Sequence, residues 1–318
     1  MLCRGKAWAA AMAAPALLAG AGCGRMAAST VVRADGSVTR TLKFSAGKQD
    51  TSGGLDFRPK LEDMFVLPSG PGWQVDRPAS EAEAVYRATR TFKVGETVEP
   101  DIVLKAGQSA PGGRTVVGGV SVKRLSPGVF EYRETLHWVG ARPKELTSID
   151  PDILATVRAA LPASLATDEN VRQVSRGLFT EFWRMLFGPG DPLLTTALLH
   201  PDLAERRIMK RLRSAADDVA LRTLGDRMTP EQRRAFVNKV AARAAEMAAL
   251  PSKKPSQASE SSSDNGAGLT PVFYSVTLPG KITATNGEVD GNEVYWAFYS
   301  MAAAPGDVVL TATCDVGK

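Results

Sequence analysis

VFEYRETLHWV, residues 129–139, is the clearest strand pattern in the chain. Its large apolar side chains share one face of an extended strand: Phe130, Tyr132, Leu136 and Trp138. Its opposite face is polar and carries Glu131, Arg133, Thr135 and His137. A period of two residues is typical of a strand that packs one face on a core and turns the other to solvent. The stretch therefore predicts a half-buried strand in a β-rich domain.

Turn signals on the amino-terminal side of this strand mark further strands. One glycine pair, Gly112-Gly113, and the pair Pro127-Gly128 bracket the run Arg114 to Leu125, and residues 82–93 form another long β-type run. Near the start of the chain, Asp35-Gly36 separates two runs of strand-forming residues and predicts a two-residue β-hairpin. These signals predict that residues 24–140 are β-rich.

Residues 148–250 follow a helical period instead. Asp150 and Asp191 each stand directly before a proline, as capping residues do at helix starts. Thr229 and Gln232 have the spacing of a capping box, and Gly225 predicts the end of the preceding helix. The segment therefore predicts a subdomain of four or five helices.

Alternation returns near the carboxyl terminus, from Val272 onward. The preceding residues, 251–268, contain no large apolar side chain and predict a disordered linker. Because two or three strands are marginal alone, we expect the final strands to pair with the earlier ones. The predicted fold class is α+β: an antiparallel β-rich domain assembled from residues 28–140 and 270–315, with a helical insertion at 148–250. Its outer bounds are residues 24–140 plus 269–318.

Residues 1–23 have the pattern of an export signal. Arg4 and Lys6 form a basic start, an uncharged run follows, and small residues precede Cys23. The apolar run is only about 22 Å long as a helix, against a hydrocarbon core of ~30 Å. The ending resembles the bacterial lipobox, although Gly20 stands where the box usually has Leu. An ordinary secreted protein cleaved nearby and a retained anchor are the alternatives.

The lipobox resemblance implies a signal peptide at residues 1–22 and acylation of Cys23 with diacylglyceryl and N-acyl chains such as palmitate. The expected location is then the extracytoplasmic side of a bacterial envelope membrane, inner or outer. Removing residues 1–22 lowers the net charge from +5 to +3, which does not demand a nucleic acid partner. Cys314 is then the one free cysteine, so core packing must hold the fold without an intrachain disulfide.

The tail of the chain resembles a known family. VTLPGKI at residues 276–282, Asn286-Gly287 and Val294-Tyr295-Trp296 are similar to the ending of the LppM-like domain of bacterial envelope lipoproteins. The resemblance covers mainly residues 272–300, together with the lipobox and the early hairpin. It implies an α+β ectodomain at the membrane surface, with a role in binding lipid or glycolipid, and it carries over no catalytic residue.

Motifs for chemistry are missing from the sequence. Only His137 and His200 could serve a Ser-His-Asp set, and no Gly-x-Ser-x-Gly elbow occurs. Metal-ligand spacings and phosphate loops do not occur either. We therefore expect a non-enzymatic protein without a metal or a cofactor.

Two features of the predicted helices are candidate contacts for a lipid or a protein partner. Phe179, Trp183 and Phe187 recur one helical turn apart, as in an apolar groove. A basic group near one helical face suits anionic headgroups, and it consists of Arg206, Lys210 and Arg213. A helix buried on two sides and a solvated basic face would explain the same residues without a ligand. We expect a membrane-anchored protein that binds lipid, glycolipid or an envelope protein; a tethered hydrolase and a purely structural assembly subunit are the alternatives.

Overall fold

The structure is a computed structural model, and its described residues form a β unit and a helical unit. The described ranges are 24–47, 49–50, 56–57, 60–77, 83–106, 114–139, 149–189, 201–249 and 270–317. Cys23, His200, the predicted signal peptide and the predicted linker lie outside them. Helices and mainly antiparallel strands occur together, which confirms the predicted α+β class.

Fifteen strands lie in the described part of the β unit, together with the short helix α1 (Leu61–Met64). The strands before the helical unit are β1 (Gly24–Val32), β2 (Ser37–Gly47), β3 (Gln49–Asp50), β4 (Asp56–Phe57), β5 (Phe65–Val66), β6 (Trp73–Asp76), β7 (Glu83–Lys93), β8 (Thr97–Ala106), β9 (Arg114–Ser126) and β10 (Val129–Val139). The strands after it are β11 (Pro271–Thr277), β12 (Lys281–Thr285), β13 (Glu288–Asp290), β14 (Glu293–Tyr299) and β15 (Val308–Asp315).

Two large sheets make up most of the β unit. The first sheet has the strand order β13-β14-β11-β1-β2-β7-β6, and the second has the order β12-β15-β10-β9-β8-β5. Strands β3 and β4 form a separate pair. The late strands β11 and β15 pair directly with β1 and β10, so each sheet contains strands from both ends of the sequence.

One strand pair departs from the predicted antiparallel arrangement. β1 and β11 run parallel, with Met26 opposite Val272 and Val31 opposite Thr277. Parallel neighbours need a long crossover connection, and nearly the whole chain lies between these two strands. The β-rich domain, predicted to be antiparallel, therefore contains this one parallel pair among the described strands.

The turn between β1 and β2 also differs from the two-residue hairpin predicted at Asp35-Gly36. The carbonyl of Arg33 accepts a 2.9 Å bond from the amide of Gly36, and the amide of Arg33 donates to the carbonyl of Ser37 at 2.9 Å. Gly36 has φ +88°, which a β-carbon would strain. A β-turn followed by a left-handed glycine gives a longer, bulged hairpin whose right-handed twist suits the flanking strands.

The inner faces of the two sheets pack on each other through aromatic side chains. Tyr132 of β10 stacks on Trp296 of β14 with 5.9 Å between ring centroids, and Phe44 of β2 lies 4.9 Å from Phe65 of β5. Each contact joins one strand of the first sheet to one of the second. The alternation predicted for residues 129–139 is confirmed at Phe130, Tyr132 and Leu136, which are buried.

The described part of the helical unit contains four long helices: α2 (Pro151–Ala160), α3 (Asp168–Phe187), α4 (Pro201–Leu224) and α5 (Pro230–Ala249). α4 packs between α3 and α5, and α2 contacts both α3 and α5. The predicted caps are confirmed at two helix starts, where Asp150 accepts a 2.8 Å bond from the amide of Asp152 and Gln232 accepts a 2.9 Å bond from the amide of Thr229. The third, Asp191, lies outside the described residues. Gly225, with φ +53°, follows the last residue of α4 as predicted.

The core of the helical unit is apolar, and one glycine sets the approach of two helices. Val174 of α3, Val219 of α4 and Phe236 of α5 are almost completely buried. Gly177 of α3 faces Val219, and a β-carbon there would lie 2.7 Å from Val219 Cγ1. The glycine therefore permits a separation between α3 and α4 that any larger residue would prevent.

Candidate functional site

An open trough of about 660 Å³ lies on the outer face of the first sheet. Strands β1, β2, β7, β11 and β14 contribute its walls and floor. Because side chains alternate along a strand, most residues that line the trough are the neighbours in sequence of those that face the core; Ala28 and Tyr274 line it from the core side. The register of the strands arranges these outward residues in two rows across the sheet.

The first row runs from two cations to an aromatic ring. Arg87 lies opposite Lys43, Lys43 opposite Ala27, and Ala27 opposite Phe273. Lys43 and Arg87 are exposed, and neither forms a salt bridge with another described residue, although Asp76 of β6 is the register neighbour of Arg87. Phe273 is 46% exposed, so its ring is open to solvent at this end of the row.

The second row is formed almost entirely of hydroxyl groups. It runs across five strands through Thr89, Thr41, Ser29, Ser275 and Tyr295. Thr41 Oγ1 lies 3.4 Å from Thr89 Oγ1. A hydrogen bond with Glu293 raises the pKa of Tyr295 to about 12, so the phenol stays neutral. Small side chains at Ala27 and Ser29 leave the middle of the trough open.

A buried polar group of side chains lies between the inner faces of the two sheets and is here called the Arg40 cluster: Arg40 and Thr30 of the first sheet, with Asp101, Tyr132 and Glu134 of the second. Arg40 of β2 donates from Nε to Asp101 of β8 and, at 2.7 Å, from Nη2 to Glu134 of β10. Its Nη1 donates to Thr30 of β1 at 3.0 Å. The hydroxyl of Tyr132 donates to the other oxygen of Glu134 at 2.6 Å.

The Arg40 cluster joins the two sheets through fully buried charges. The side chains of Arg40, Asp101 and Glu134 are all 0% exposed. Burial raises the pKa of Glu134 to about 7 and raises that of Asp101, in both cases against the opposing effect of Arg40. Burial works to lower the pKa of Arg40, but the two carboxyl groups hold it well above its ordinary value.

Two polar atoms beside the Arg40 cluster have no hydrogen-bond partner among the described residues. They are Oδ1 of Asp101 and the hydroxyl of Tyr274, whose ring centroid lies 5.9 Å from the guanidinium carbon of Arg40. Burial and the charge of Glu134 raise the pKa of Tyr274 well above its ordinary value. The hydrogen bonding around Arg40 is therefore incomplete on one side.

Neither the trough nor the Arg40 cluster was predicted from the sequence. A local signal for the cluster does exist, because Arg40 and Glu134 occupy the apolar phase of alternating strands, between Val38 and Leu42 and between Tyr132 and Leu136. The trough has no local signal, since its rows run across strands that are distant in sequence.

The predicted aromatic residues of α3 do lie together. The ring centroids of Phe179 and Trp183 are 5.9 Å apart, and those of Trp183 and Phe187 are 4.8 Å apart. All three side chains are half-buried, and Phe179 packs against the helical core. Phe179 therefore packs within the helical unit, whether or not it also contacts a lipid or a protein partner.

The predicted basic residues lie along α4. Lys210 and Arg213 are exposed, and Arg206 belongs to the first turns of the same helix, where side chains are outside the description. His137 is half-exposed on β10, with Nδ1 2.9 Å from Oδ1 of Asp307. Cys314 is buried on β15.

Within the described ranges, no three His, Cys, Asp or Glu side chains are grouped so that they could hold a metal ion. None of the helices in those ranges is long and apolar enough to cross a membrane. Comparison with known proteins returned no match: no family model, no curated protein and no solved structure is similar to the chain.

Proposed function

We propose that the protein is a non-enzymatic lipoprotein of a bacterial envelope that binds an anionic amphiphile or glycolipid in the trough. Acyl chains on Cys23 would anchor it at the membrane surface. The observation that carries the proposal is the first row of the trough, which sets Arg87 and Lys43 at one end and exposed Phe273 at the other.

The spacing of the residues within the first row fits a ligand with two chemically different parts. Adjacent strands are about 4.8 Å apart, so Lys43 and Phe273 lie about 10 Å apart across β1. Arg and Lys side chains bind phosphate, whereas an aromatic ring binds a sugar face or an acyl chain. The hydroxyl row alongside can bond to a polyol. A phosphate group next to a sugar or glycerol moiety matches this order.

We also propose that the β unit is an LppM-like domain, at residues 24–140 plus 269–318, with the helices of 148–250 as an insertion and 251–268 as the linker back. The support is that β11 and β15, which follow the helices, pair with β1 and β10, which precede them. The turn residues of the resemblance, Gly280 and Asn286-Gly287, connect strands of both sheets.

The helical unit would add contacts with the anionic membrane surface. Exposed Lys210 and Arg213, with Arg206 on the same helix, would each contribute about 1 kcal/mol next to acidic lipids. An anchor near the amino terminus would keep α4 within reach of such a surface. Phe187 and Trp183 would serve an envelope protein partner if a protein, rather than lipid, proved to be the ligand.

Native mass spectrometry with short-chain lipids tests the trough directly. The full chain, carrying Cys23→Ala in every sample so that acylation cannot contribute, is titrated with dioctanoyl phosphatidylglycerol below its micelle concentration. We expect a one-to-one complex whose affinity falls on the order of tenfold in Lys43→Glu and in Phe273→Ser. Dioctanoyl phosphatidylcholine, which has no net charge, should bind more weakly.

Lys123→Glu is the matched control, because Lys123 is an exposed strand lysine on β9 of the second sheet. It makes the same charge change outside the trough and should leave the affinity unchanged. Equal losses in Lys43→Glu and Lys123→Glu would show a general charge effect and overturn the proposed site.

A further inference from the structure

We propose that the Arg40 cluster is a proton-controlled clasp between the two sheets: one proton shared by Asp101 and Glu134 closes it, and loss of that proton as pH rises past neutrality loosens the β unit. The clasp does not depend on which ligand the trough binds. It follows from the position of Arg40 on the first sheet and of the two carboxyl groups on the second.

The charge count of the cluster requires the proton. Arg40 supplies one positive charge, and two carboxylates would supply two negative charges, all on side chains with no exposure. An uncompensated charge in such surroundings is strongly unfavourable, and buried acids respond by binding a proton. With one proton on the pair, the cluster is neutral and keeps its bonds to Arg40.

The neighbouring groups do not supply a second cation. On the first sheet, Thr30 and Tyr274 are neutral, and Arg90 of β7 acts on Asp101 from a distance while bonding to Glu96 at 2.8 Å. On the second sheet, Tyr132 is a neutral donor to Glu134. Among the described residues, Arg40 is therefore the one cation in contact with the two acids.

The direction of the pH effect follows from the difference between the pKa of Glu134 in the folded protein and its pKa in the unfolded chain. The folded protein raises its pKa to about 7, from an ordinary value of 4.5, so the folded state binds more protons than the unfolded state between these limits. The stabilisation is complete below about pH 4.5 and is lost as pH rises through about 7. Because the pKa of Asp101 is also raised, the proton belongs to the pair of carboxyl groups and not to Glu134 alone.

Urea unfolding of the full chain at about pH 5 and about pH 8 tests the clasp. Hydrogen exchange followed by mass spectrometry assigns each transition to the β unit or to the helical unit, which serves as an internal reference. We expect the folding equilibrium constant of the β unit to fall on the order of a hundredfold between the two pH values. Glu134→Gln should remove most of that fall, because its amide cannot titrate.

Glu131→Gln is the matched control on the same strand, since Glu131 lies on the outer face of β10. It should show the pH dependence of the original protein. If Glu134→Gln and the original protein lost stability equally between the two pH values, the clasp would be refuted.

Carbon-13 titration of the aspartate and glutamate side chains in the unmodified protein decides the matter even where Glu134→Gln does not fold. We expect one carboxyl resonance, from Glu134 or Asp101, to titrate near pH 7, well above the others. Titration of every aspartate and glutamate below about pH 5.5 would overturn the proposal.

Discussion

Arg40 Nη2 lies 2.7 Å from Glu134 Oε1, and this bond connects β2 of one sheet to β10 of the other. The residues are 94 positions apart in sequence, so the contact exists only when both sheets are in place. A buried ion pair adds little net stability compared with apolar side chains. Removing one partner is nevertheless costly, because the other charge then stays buried without a counter-charge or water.

Arg40→Ala should therefore destabilise the β unit by about 3–5 kcal/mol, because it leaves two buried carboxyl groups without their cation. Urea unfolding at neutral pH measures the change. Arg133→Ala, an exposed arginine on β10, provides the comparison and should stay within about 0.5 kcal/mol of the original protein. A similar small change in both variants would contradict a structural role for Arg40.

Asn286 joins the two sheets at a second place. Its Oδ1 accepts from the indole nitrogen of Trp296 at 3.0 Å and from the amide of Thr311 at 2.9 Å, and its Nδ2 donates to the carbonyl of Val309 at 2.7 Å. Asn286→Ala should cost about 1–3 kcal/mol, because three hydrogen bonds are lost and one of them is the half-buried bond from the indole of Trp296. Differential scanning calorimetry measures it.

Asn292→Ala is a useful comparison for Asn286→Ala, since among the described residues the side chain of Asn292 makes one hydrogen bond, to the carbonyl of Leu278 at 2.9 Å. Its expected cost is about 1 kcal/mol. An Asn286 variant no less stable than the Asn292 variant would show that the bonds across the sheets add nothing.

Gly177→Ala should destabilise the helical unit by about 1–3 kcal/mol, although alanine favours helix formation over glycine. The reason is the 2.7 Å approach of its β-carbon to Val219 Cγ1. A double-mutant cycle with Val219→Ala, followed by circular dichroism during urea unfolding, separates the clash from other effects. In the Val219→Ala background the same change should be neutral or stabilising; an equal cost in both backgrounds would rule out the clash.

Cys23 should carry acyl chains at the mature amino terminus, as the lipobox resemblance implies. Mass spectrometry of the purified protein should find the mass of a chain that begins at Cys23 with a diacylglyceryl group and an N-acyl chain. The Cys23→Ala protein should lack these groups and leave the membrane fraction. An unmodified terminus elsewhere in the original protein would refute the anchor.

Much of the local structure could be predicted, because it depends on residues close in sequence. Period-two alternation located β10, and capping residues such as Asp150 and Thr229 located helix starts. The α+β class followed from the same patterns. The hairpin at Gly36 was predicted too short, because Asp-Gly pairs also occur in bulged turns.

Relationships between distant strands could not be predicted in the same way. The parallel pairing of β1 with β11, the row from Arg87 to Phe273 and the bond from Arg40 to Glu134 all depend on strand order. Alternation shows which face a residue occupies, but not which strand lies beside it. The position of Glu134 in the apolar phase of β10 nevertheless indicates that its carboxyl group is buried.

The parallel pair of β1 and β11 has a consequence for biosynthesis. β1 ends at Val32 and β11 begins at Pro271, so the edge of β1 that β11 covers stays open while the residues between them are synthesised. High contact order of this kind slows folding and leaves hydrogen-bonding groups available to other chains in the meantime. A nascent chain halted before Pro271 would therefore present an aggregation-prone sheet edge.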